Sequence, residues 1–311
     1  MASLPRSRIA NRTGARPEAR SRSLAVSLLL SLRPSQWTKN LIVFAGLIFG
    51  ERLFVLEDAA RAAGVFLAFC ALSGAIYLVN DIVDQEQDRR HPSKRHRSVA
   101  SGALTARVAA IAAALLATAA LGWSLWISPR LGLVSLTYAG LLIAYSVALK
   151  HVVIVDVLTI SVGFVLRAVA GAVAVEVPIS TWLLVCTILL ALFLALSKRR
   201  HELVLLADGA ADHRPILGEY SPYLLDQMIG IVTASTVMSY ILYVTASDTA
   251  LRFGSTGLGL TIPLPLYGIF RYLYLVHHKG GGTPSELLLA DRPLLICVAL
   301  WALSVVFIIY R

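Results

Sequence analysis

The sequence predicts an all-α fold, a polytopic membrane bundle of about nine transmembrane helices. Of its 311 residues, 57% are hydrophobic and only 15% are charged, which is unusual for a soluble chain of this length. The apolar residues are gathered in long runs, and about 20 such residues let one helix cross a bilayer. The strands of a membrane barrel would instead alternate apolar and polar residues in shorter segments, so the runs favour helices.

Nine runs are candidate membrane spans, and the first of them is the least well defined because it is short and flanked by charged residues. We predict spans at 38–56, 60–82, 105–127, 129–148, 152–175, 180–199, 227–247, 258–277 and 291–310. Residues 1–24 are rich in Arg, Ser and Ala and have no hydrophobic period, so they predict a disordered basic tail on the cytoplasmic lipid surface. Residues 25–311 then form one nine-helix transmembrane domain.

The distribution of positive charge predicts the orientation in the membrane. If the N-terminus is cytoplasmic, most of the 28 Lys and Arg residues lie in the connections on that side, which is the positive-inside pattern. We therefore expect a multi-pass protein of the plasma membrane. The net charge of +10 gives little support for nucleic acid as a partner, because anionic membrane lipid already accounts for cations beside the spans.

A motif of acids lies at the cytoplasmic end of the second span, in "YLVNDIVDQEQDRRHPSKRHRSVASG". Asn80, Asp84 and Asp88 are spaced by four residues, and Asp81 precedes Asp84 by three, so a helix would place them on one face. Mg²⁺ in proteins is held by one or two carboxylates and completed by water and substrate phosphates. We predict that these four residues hold Mg²⁺ with a bound diphosphate. A solvated loop of mixed charge is the alternative, which the regular spacing disfavours.

Basic residues follow the acids directly and suit the same ligand. Lys94, Arg95 and Arg97 are expected to contact phosphate, through bidentate Arg contacts or the point charge of Lys. Taken alone, each could simply belong to the positive-inside pattern. Glu86 lies off the acidic face and is expected to be solvated.

Three further segments end at the same membrane face: "RPSQWTKN", "YSVALK" and "SKRRHE". Snorkelling explains each isolated cation, but their convergence with the acids favours a binding site. The candidate substrate-binding residues in and near these segments are Lys39, Tyr145, Lys150, Asp156, Lys198, Arg199 and Glu202. Arg167 lies deeper in the fifth span, where a charge usually faces the bundle interior or a wet cavity, and its role stays open.

The acidic motif, at the end of the second of about nine helices, resembles the UbiA-type intramembrane prenyltransferase superfamily. From Leu32 onward, "LRPSQWTKN", the acidic segment, "YSVALK", "LSKRRHE" and "FRYLYL…DRPLL" resemble its decaprenyl-phosphate phosphoribosyltransferase branch. This resemblance implies a cavity open to cytoplasm and lipid. It also implies Mg²⁺-dependent transfer of 5-phosphoribose from phosphoribosyl pyrophosphate to a polyprenyl (decaprenyl) phosphate, which feeds arabinose donors for the cell envelope.

The implied chemistry assigns roles to the charged residues. Asp81, Asp84 and Asp88 would act through the metal on the leaving diphosphate. Lys198 would join them in catalysis as a fixed positive charge. The acceptor phosphate is already anionic at neutral pH, so no strong general base is required. Whether Lys198, Arg199 and Lys150 contact the acceptor phosphate or the ribose 5-phosphate stays open, as does a homo-oligomeric state.

The sequence leaves two alternative functions open. Relatives that prenylate aromatic acids have a second aspartate-rich motif after the sixth span, where this chain has the cationic "SKRRHE". Asp208 and Asp212 occur further on and are expected to be solvated; if they bind metal, transfer of a prenyl chain to a small acceptor gains support. A transporter or membrane scaffold would concentrate polar residues at the midplane rather than at one edge.

Overall fold

The computed structural model describes residues 23–90, 94–206, 215–278 and 284–311, and all regular structure within them is helical. The predicted all-α membrane fold is confirmed. Apart from residues 23 and 24, the predicted tail 1–24 lies outside the described residues, and so do Asp208 and Asp212. The α-helices are α1 (Leu24–Ser31), α2 (Phe44–Phe49), α3 (Leu56–Val83), α4 (Gln85–Arg90), α5 (Ala106–Ile127), α6 (Pro129–Val147), α7 (Val155–Ala174), α8 (Thr181–Leu206), α9 (Pro222–Thr245), α10 (Ser247–Phe253), α11 (Pro263–His278), α12 (Pro284–Ala290) and α13 (Arg292–Tyr310).

Side chains just before the long helices define where those helices begin. The hydroxyl of Ser128 accepts a hydrogen bond from the N–H of Leu131 at the start of α6, over 3.1 Å. Asp291 caps α13 in the same way through the N–H of Leu294, over 2.9 Å. Such caps satisfy amide groups that have no partner in the first turn, and proline at the first helical position requires none. The capping residues and prolines between the apolar runs therefore determine where these spans begin.

Eight helical segments in the described parts of the chain are long and apolar enough to cross a membrane: α3, α5, α6, α7, α8, α9, α11 with the 3-10 turn Gly257–Thr261 before it, and α13. The predicted first span, 38–56, differs from the others. It consists of a ten-residue 3-10 helix, Pro34–Val43, followed by the six residues of α2. Polar residues in "PSQWTKN" explain why no regular apolar α-helix forms here.

This broken segment still runs from one end of the bundle to the other. Arg33, just before it, pairs with Asp81 near the end of α3, whereas Gly50, just after it, lies against Val177 beyond the end of α7. With about 2.0 Å per residue in the 3-10 part and 1.5 Å in the α part, its length is about 29 Å. That is close to the ~30 Å hydrocarbon core of a bilayer, so the segment is long enough for the ninth predicted crossing, which stays a prediction.

Close backbone contact fastens the broken segment to α7. A Cβ added at Gly171 would lie 1.9 Å from the carbonyl oxygen of Val43, and one added at Gly46 would lie 2.7 Å from Ala172 Cα. Neither position leaves room for a side chain. Small residues of this kind let backbones approach closely in a membrane. The contact holds the polar start of the segment at a fixed depth beside α7.

The spans form a bundle in which α3 and α7 are the most buried. Helix α5 packs on α3, and α6 packs on α5. Helix α7 lies between α6 and α8, and α9 packs on α8. Helix α11 packs on α13. We define the acidic end of the bundle as the end where α3 stops at Val83. The starts of α5, α7, α9 and α13 lie at this same end, because successive spans alternate in direction.

Candidate active site

The acids at the acidic end keep nearly helical spacing. Asp84 ends α3, and the N–H of Asp88 donates to the carbonyl oxygen of Asp84 over 2.8 Å, so one helical turn connects α3 to α4. Asp81 and Asp88 are buried, at 2% and 3% exposure, whereas Asn80 and Asp84 are partly exposed. Glu86 is exposed, as the sequence predicts.

Arg97 joins the two buried acids. Its Nη1 lies 2.7 Å from Asp88 Oδ2 and 3.3 Å from Asp81 Oδ1. Asp81 is also 2.6 Å from Arg33 Nη2, and Arg33 adopts a left-handed backbone conformation with φ 53°. A positive φ is uncommon outside glycine and turns the chain sharply. This turn brings the Arg33 side chain back onto the end of α3.

Asp84 faces another partner. Its Oδ1 lies 3.4 Å from Lys150 Nζ, in the short turn after α6, and both side chains remain partly exposed. The predicted acidic set therefore divides into two: Asp81 and Asp88 against Arg97, and Asp84 against Lys150. Lys94 adds a half-buried cation near Asp88 and Asp84, and burial lowers the pKa of its ammonium group from the usual value.

A second charged network connects the start of α7 to the end of α8. Arg199 donates from Nε to Asp156 Oδ2 over 2.8 Å, and the two residues are 1% and 0% exposed. The guanidinium also pairs with Glu202 and donates to the Tyr145 hydroxyl over 3.4 Å. Lys198 lies 3.5 Å from the other oxygen of Glu202. Together with the Arg33 and Lys150 contacts above, this network brings the acidic motif, "RPSQWTKN", "YSVALK" and "SKRRHE" together at the acidic end.

Tyr220 holds this second network in place, and no motif in the sequence had indicated it. Its hydroxyl accepts from the N–H of Ile154 over 2.7 Å and donates to Asp156 Oδ1 over 2.9 Å. Burial raises the pKa of Tyr220 to about 12, so the phenol keeps the proton that it donates. Ile154 has φ 68°, which is strained for a β-branched residue, and such strain is common at functional sites.

A cavity of about 720 Å³ opens beside both networks. Five of the predicted residues line it near the acidic end: Lys39, Asn80, Tyr145, Lys198 and Arg199. The wall also includes Trp182, sixteen residues before Lys198 on α8, so the cavity extends about 24 Å along that helix. Most of the wall beyond the acidic end is apolar.

Arg167 lies in the cavity wall below these residues and is only 6% exposed. Its Nε donates to Asn40 Oδ1 over 2.7 Å, and its Nη2 donates to the hydroxyl of Tyr138. That hydroxyl is in turn 2.9 Å from Ser73 Oγ. The sequence left the role of Arg167 open, and the structure gives it polar partners within the bundle as well as a place in the cavity wall.

The oxygen atoms of these side chains suit Mg²⁺ only when a phosphate group of a bound substrate completes the coordination. Among the described residues, no three His, Cys, Asp or Glu side chains lie close enough to hold a metal by themselves. Asn80, in the cavity wall, and Asp84, whose Oδ1 lies 3.4 Å from Lys150, offer hard oxygen atoms at adjacent turns. One or two carboxylates with phosphate and water are what Mg²⁺ ordinarily requires, so these residues fit it.

Arg95 is the one predicted site residue that the structure leaves apart from the cavity and its acids. It is exposed beside His96. Arg97, two residues later, is directed inward because the turn around it is tied to α4. Gln85 donates to the carbonyl oxygen of Val99 over 3.2 Å, and Arg89 to that of Ala100 over 3.1 Å.

The cavity lies within a bundle of apolar helices, has acids and cations at its mouth and has mostly apolar walls beyond, an arrangement typical of a membrane-embedded enzyme. Residues 40–290 match the model of the UbiA prenyltransferase family. The chain therefore belongs to the UbiA prenyltransferase family, and it is a transferase.

Two curated relatives are similar to the chain over most of its length, and one solved structure shares its fold. It is 33% identical to the decaprenyl-phosphate phosphoribosyltransferase of Mycolicibacterium smegmatis, over 90% of this chain and 91% of the relative. It is also 33% identical to the protein of the same name from Corynebacterium glutamicum, over 93% and 88%. A UbiA homolog from Archaeoglobus fulgidus bound to GPP and Mg²⁺ shares the fold, with a TM-score of 0.70, 17% identity, and coverage of 92% of this chain and 100% of that one.

Proposed function

We propose that the protein transfers 5-phosphoribose from phosphoribosyl pyrophosphate to a polyprenyl phosphate, with decaprenyl phosphate as the expected acceptor, and releases diphosphate. One observation carries the proposal: among the described residues that line the cavity at the acidic end, Lys39, Lys198 and Arg199 are cations and none is a carboxylate. Such a site can bring together two polyanions, one of which carries a long apolar chain. The names of the two relatives at 33% identity support the same reaction.

The reaction needs little proton transfer. An oxygen atom of the acceptor phosphate forms a bond to C1 of the ribose, the bond from C1 to the diphosphate oxygen breaks, and the diphosphate leaves with the electron pair. The acceptor phosphate is already ionised, so no side chain has to remove a proton. The protein instead orients the two anions and excludes water, which are large sources of rate enhancement.

Different residues would contact the donor, position the reacting groups and hold the metal. Arg97, Lys94 and Lys150 lie near the acids and would contact the donor's phosphates, as would the more exposed Arg95. Lys198 and Arg199 face the cavity and would position the reacting groups. Asn80 and Asp84 would hold Mg²⁺, while Asp81 and Asp88, which are both paired with Arg97, would support them. When bound, that ion would neutralise charge on the leaving diphosphate.

The alternative reaction, transfer of a prenyl chain from its diphosphate to a small aromatic acceptor, is less well supported. In the described part of α8 and its surroundings, the acidic end carries Lys198, Arg199 and Arg200 rather than a second group of aspartates. Glu202, the acid at this position, is already paired with Lys198 and Arg199. Cations at the end of α8 would bind the phosphate of an acceptor better than they would bind a second metal ion.

We also infer that the acidic end faces the cytoplasm, as a plasma-membrane enzyme supplying arabinose donors for the cell envelope would require. The positive charges at that end support this orientation. A cysteine introduced in place of exposed Arg95 should react with a membrane-impermeant thiol reagent only after the membrane is opened. Labelling of intact cells would contradict the orientation.

A donor-competition assay tests the reaction. Purified protein in a neutral detergent should convert phosphoribosyl pyrophosphate and a polyprenyl phosphate, with Mg²⁺, into a lipid-linked phosphoribose detected by mass spectrometry. Chelation of divalent ions should stop the reaction, and added Mg²⁺ should restore it. Turnover of a prenyl diphosphate with 4-hydroxybenzoate, and none of phosphoribosyl pyrophosphate, would reject the proposal in favour of the alternative.

A further inference from the structure

Arg167 is a buried cation whose charge is balanced by no carboxylate in the described parts of the chain. Its guanidinium has neutral partners: the amide oxygen of Asn40, the hydroxyl of Tyr138, and the ring faces of Tyr138 and Phe164 at 4.7 and 5.1 Å from its carbon. Arginine stays charged at any physiological pH, so it cannot relieve the cost of burial by losing a proton. An anion in the adjacent cavity would supply the missing charge.

Lys39 shows the same lack of a carboxylate partner. It lies in the cavity wall next to Asn40, close enough to Arg167 and Lys198 to be repelled by both. None of the ion pairs between described residues includes Lys39, whereas Lys198 is paired with Glu202 and Lys150 with Asp84. Arg167 is therefore a fixed buried cation without a carboxylate, and an anionic ligand beside it would also favour the protonated form of the neighbouring Lys39.

The depth of Arg167 identifies the kind of ligand. It follows Asp156 by eleven residues on α7, which places its Cα about 16 Å further from the acidic end, and its side chain leans back toward that end. Beyond it, the cavity wall is largely apolar and includes Phe49, Leu183 and Trp301. An anion at this boundary would have the acids and paired cations on one side and an apolar passage on the other.

We propose that Arg167 and Lys39 bind the phosphate of the acceptor lipid, whose chain runs along the apolar part of the cavity, while the donor lies nearer the acids. This assignment rests on the proposed function, because it decides which cations serve which substrate. The hydrogen bonds from Arg167 to Asn40 and Tyr138 leave three of its five N–H groups for phosphate oxygens. Charge-assisted bonds of this kind are the strong ones in phosphate recognition.

Binding measurements separate the acceptor site from the donor site. The probes are farnesyl phosphate, its neutral counterpart farnesol, and phosphoribosyl pyrophosphate with Mg²⁺, each added to purified protein in a maltoside detergent. The wild type should be stabilised against heat more by farnesyl phosphate than by farnesol, because a ligand that binds the folded state raises the melting temperature. Arg167→Met should remove this difference and keep the stabilisation by phosphoribosyl pyrophosphate.

Steady-state kinetics give a second readout. Arg167→Met should raise KM for the lipid phosphate about 10- to 100-fold, the range expected for lost hydrogen bonds to a charged group, with KM for phosphoribosyl pyrophosphate unchanged. Arg61→Met is the matched control, since Arg61 pairs with Glu57 and is not among the residues that line the cavity. It should leave both KM values as they are. Arg167→Lys, which keeps the charge, should recover part of the lipid affinity and serves if Arg167→Met does not fold.

Three outcomes would overturn the acceptor site: equal stabilisation of the wild type by farnesyl phosphate and farnesol, unchanged farnesyl phosphate binding in Arg167→Met, or equal loss of both substrates. Tyr138→Phe removes a hydrogen-bond partner of Arg167 and keeps its charge. An equal loss of lipid affinity in this variant would mean that Arg167 acts structurally. If Arg167 proves necessary for farnesyl phosphate binding but no phosphoribose is transferred, the site stands and the proposed function fails.

Discussion

Arg199 and Asp156 form an ion pair that is almost completely shielded from solvent, with 2.8 Å between Nε and Oδ2. The pair joins the start of α7 to the end of α8 at the acidic end of the bundle. Burial of two charges is costly, and removing one partner leaves the other unpaired. This pair therefore couples the stability of the fold to the geometry of the candidate site.

Asp156→Asn should destabilise the protein strongly, by about 3–5 kcal/mol, the usual cost of breaking a buried pair. The control is Glu202→Gln, which removes a partly exposed partner of the same Arg199. A thermal melt in detergent should show a larger fall in Tm for Asp156→Asn than for Glu202→Gln. Equal falls would indicate that Arg199 does not depend on Asp156.

Asp84→Asn should reduce kcat about 10²-fold or more, because the carboxylate would no longer help to hold the ion beside the leaving diphosphate. Glu86→Gln removes an exposed carboxylate two residues away and should have no effect. Initial rates measured across a range of Mg²⁺ concentrations check the prediction, since Asp84→Asn should also require more Mg²⁺. A lower rate with an unaltered Mg²⁺ requirement would contradict a ligand role for Asp84.

Lys198→Met should lower kcat/KM about tenfold or more, because Lys198 faces the cavity where two anions must meet. Arg200→Met is the matched control, since Arg200 pairs with Asp226 and does not line the cavity. Both changes remove one positive charge from the same turn of α8. If the two variants lose activity alike, general attraction of anions by this end of the bundle explains the effect better than a specific contact.

Gly171→Ala should disrupt the fold, because its Cβ would overlap the carbonyl group of Val43 and push the broken segment away from α7. Gly140→Ala in α6 meets no atom within 4 Å and replaces a poor helix former by a good one, so it should be neutral or stabilising by up to about 1 kcal/mol. Yield and Tm after purification compare the two variants. A Gly171→Ala protein as stable as the wild type would show that the segment can shift without cost.

The sequence predicted most of the fold because long apolar runs leave few alternatives in a bilayer. It predicted the first span as a regular helix, whereas residues 34–43 form a 3-10 helix, since hydropathy reports burial and not backbone geometry. The meeting of Lys39, Asn80, Lys198 and Arg199 around one cavity was also expected from their common membrane edge. The metal assignment itself stays a prediction.

Other features of the site depend on tertiary contacts that no local pattern encodes. Tyr220 reaches Asp156 only because the segment before α9 folds over the start of α7. Arg33 meets Asp81 only through a left-handed turn at a non-glycine residue. The sequence marked Arg167 as unusual by its depth, but its partners come from α6 and the broken segment, far away in the chain.

The polarity of the cavity has a practical consequence for handling the protein. A phosphocholine detergent carries a phosphate on an alkyl chain. Its phosphate would lie against the cations of the cavity and its alkyl chain along the apolar wall. Such a detergent would compete with the acceptor and lower the apparent activity, whereas an uncharged sugar detergent would not. The same match suggests that a long alkyl phosphonate would also compete with the acceptor.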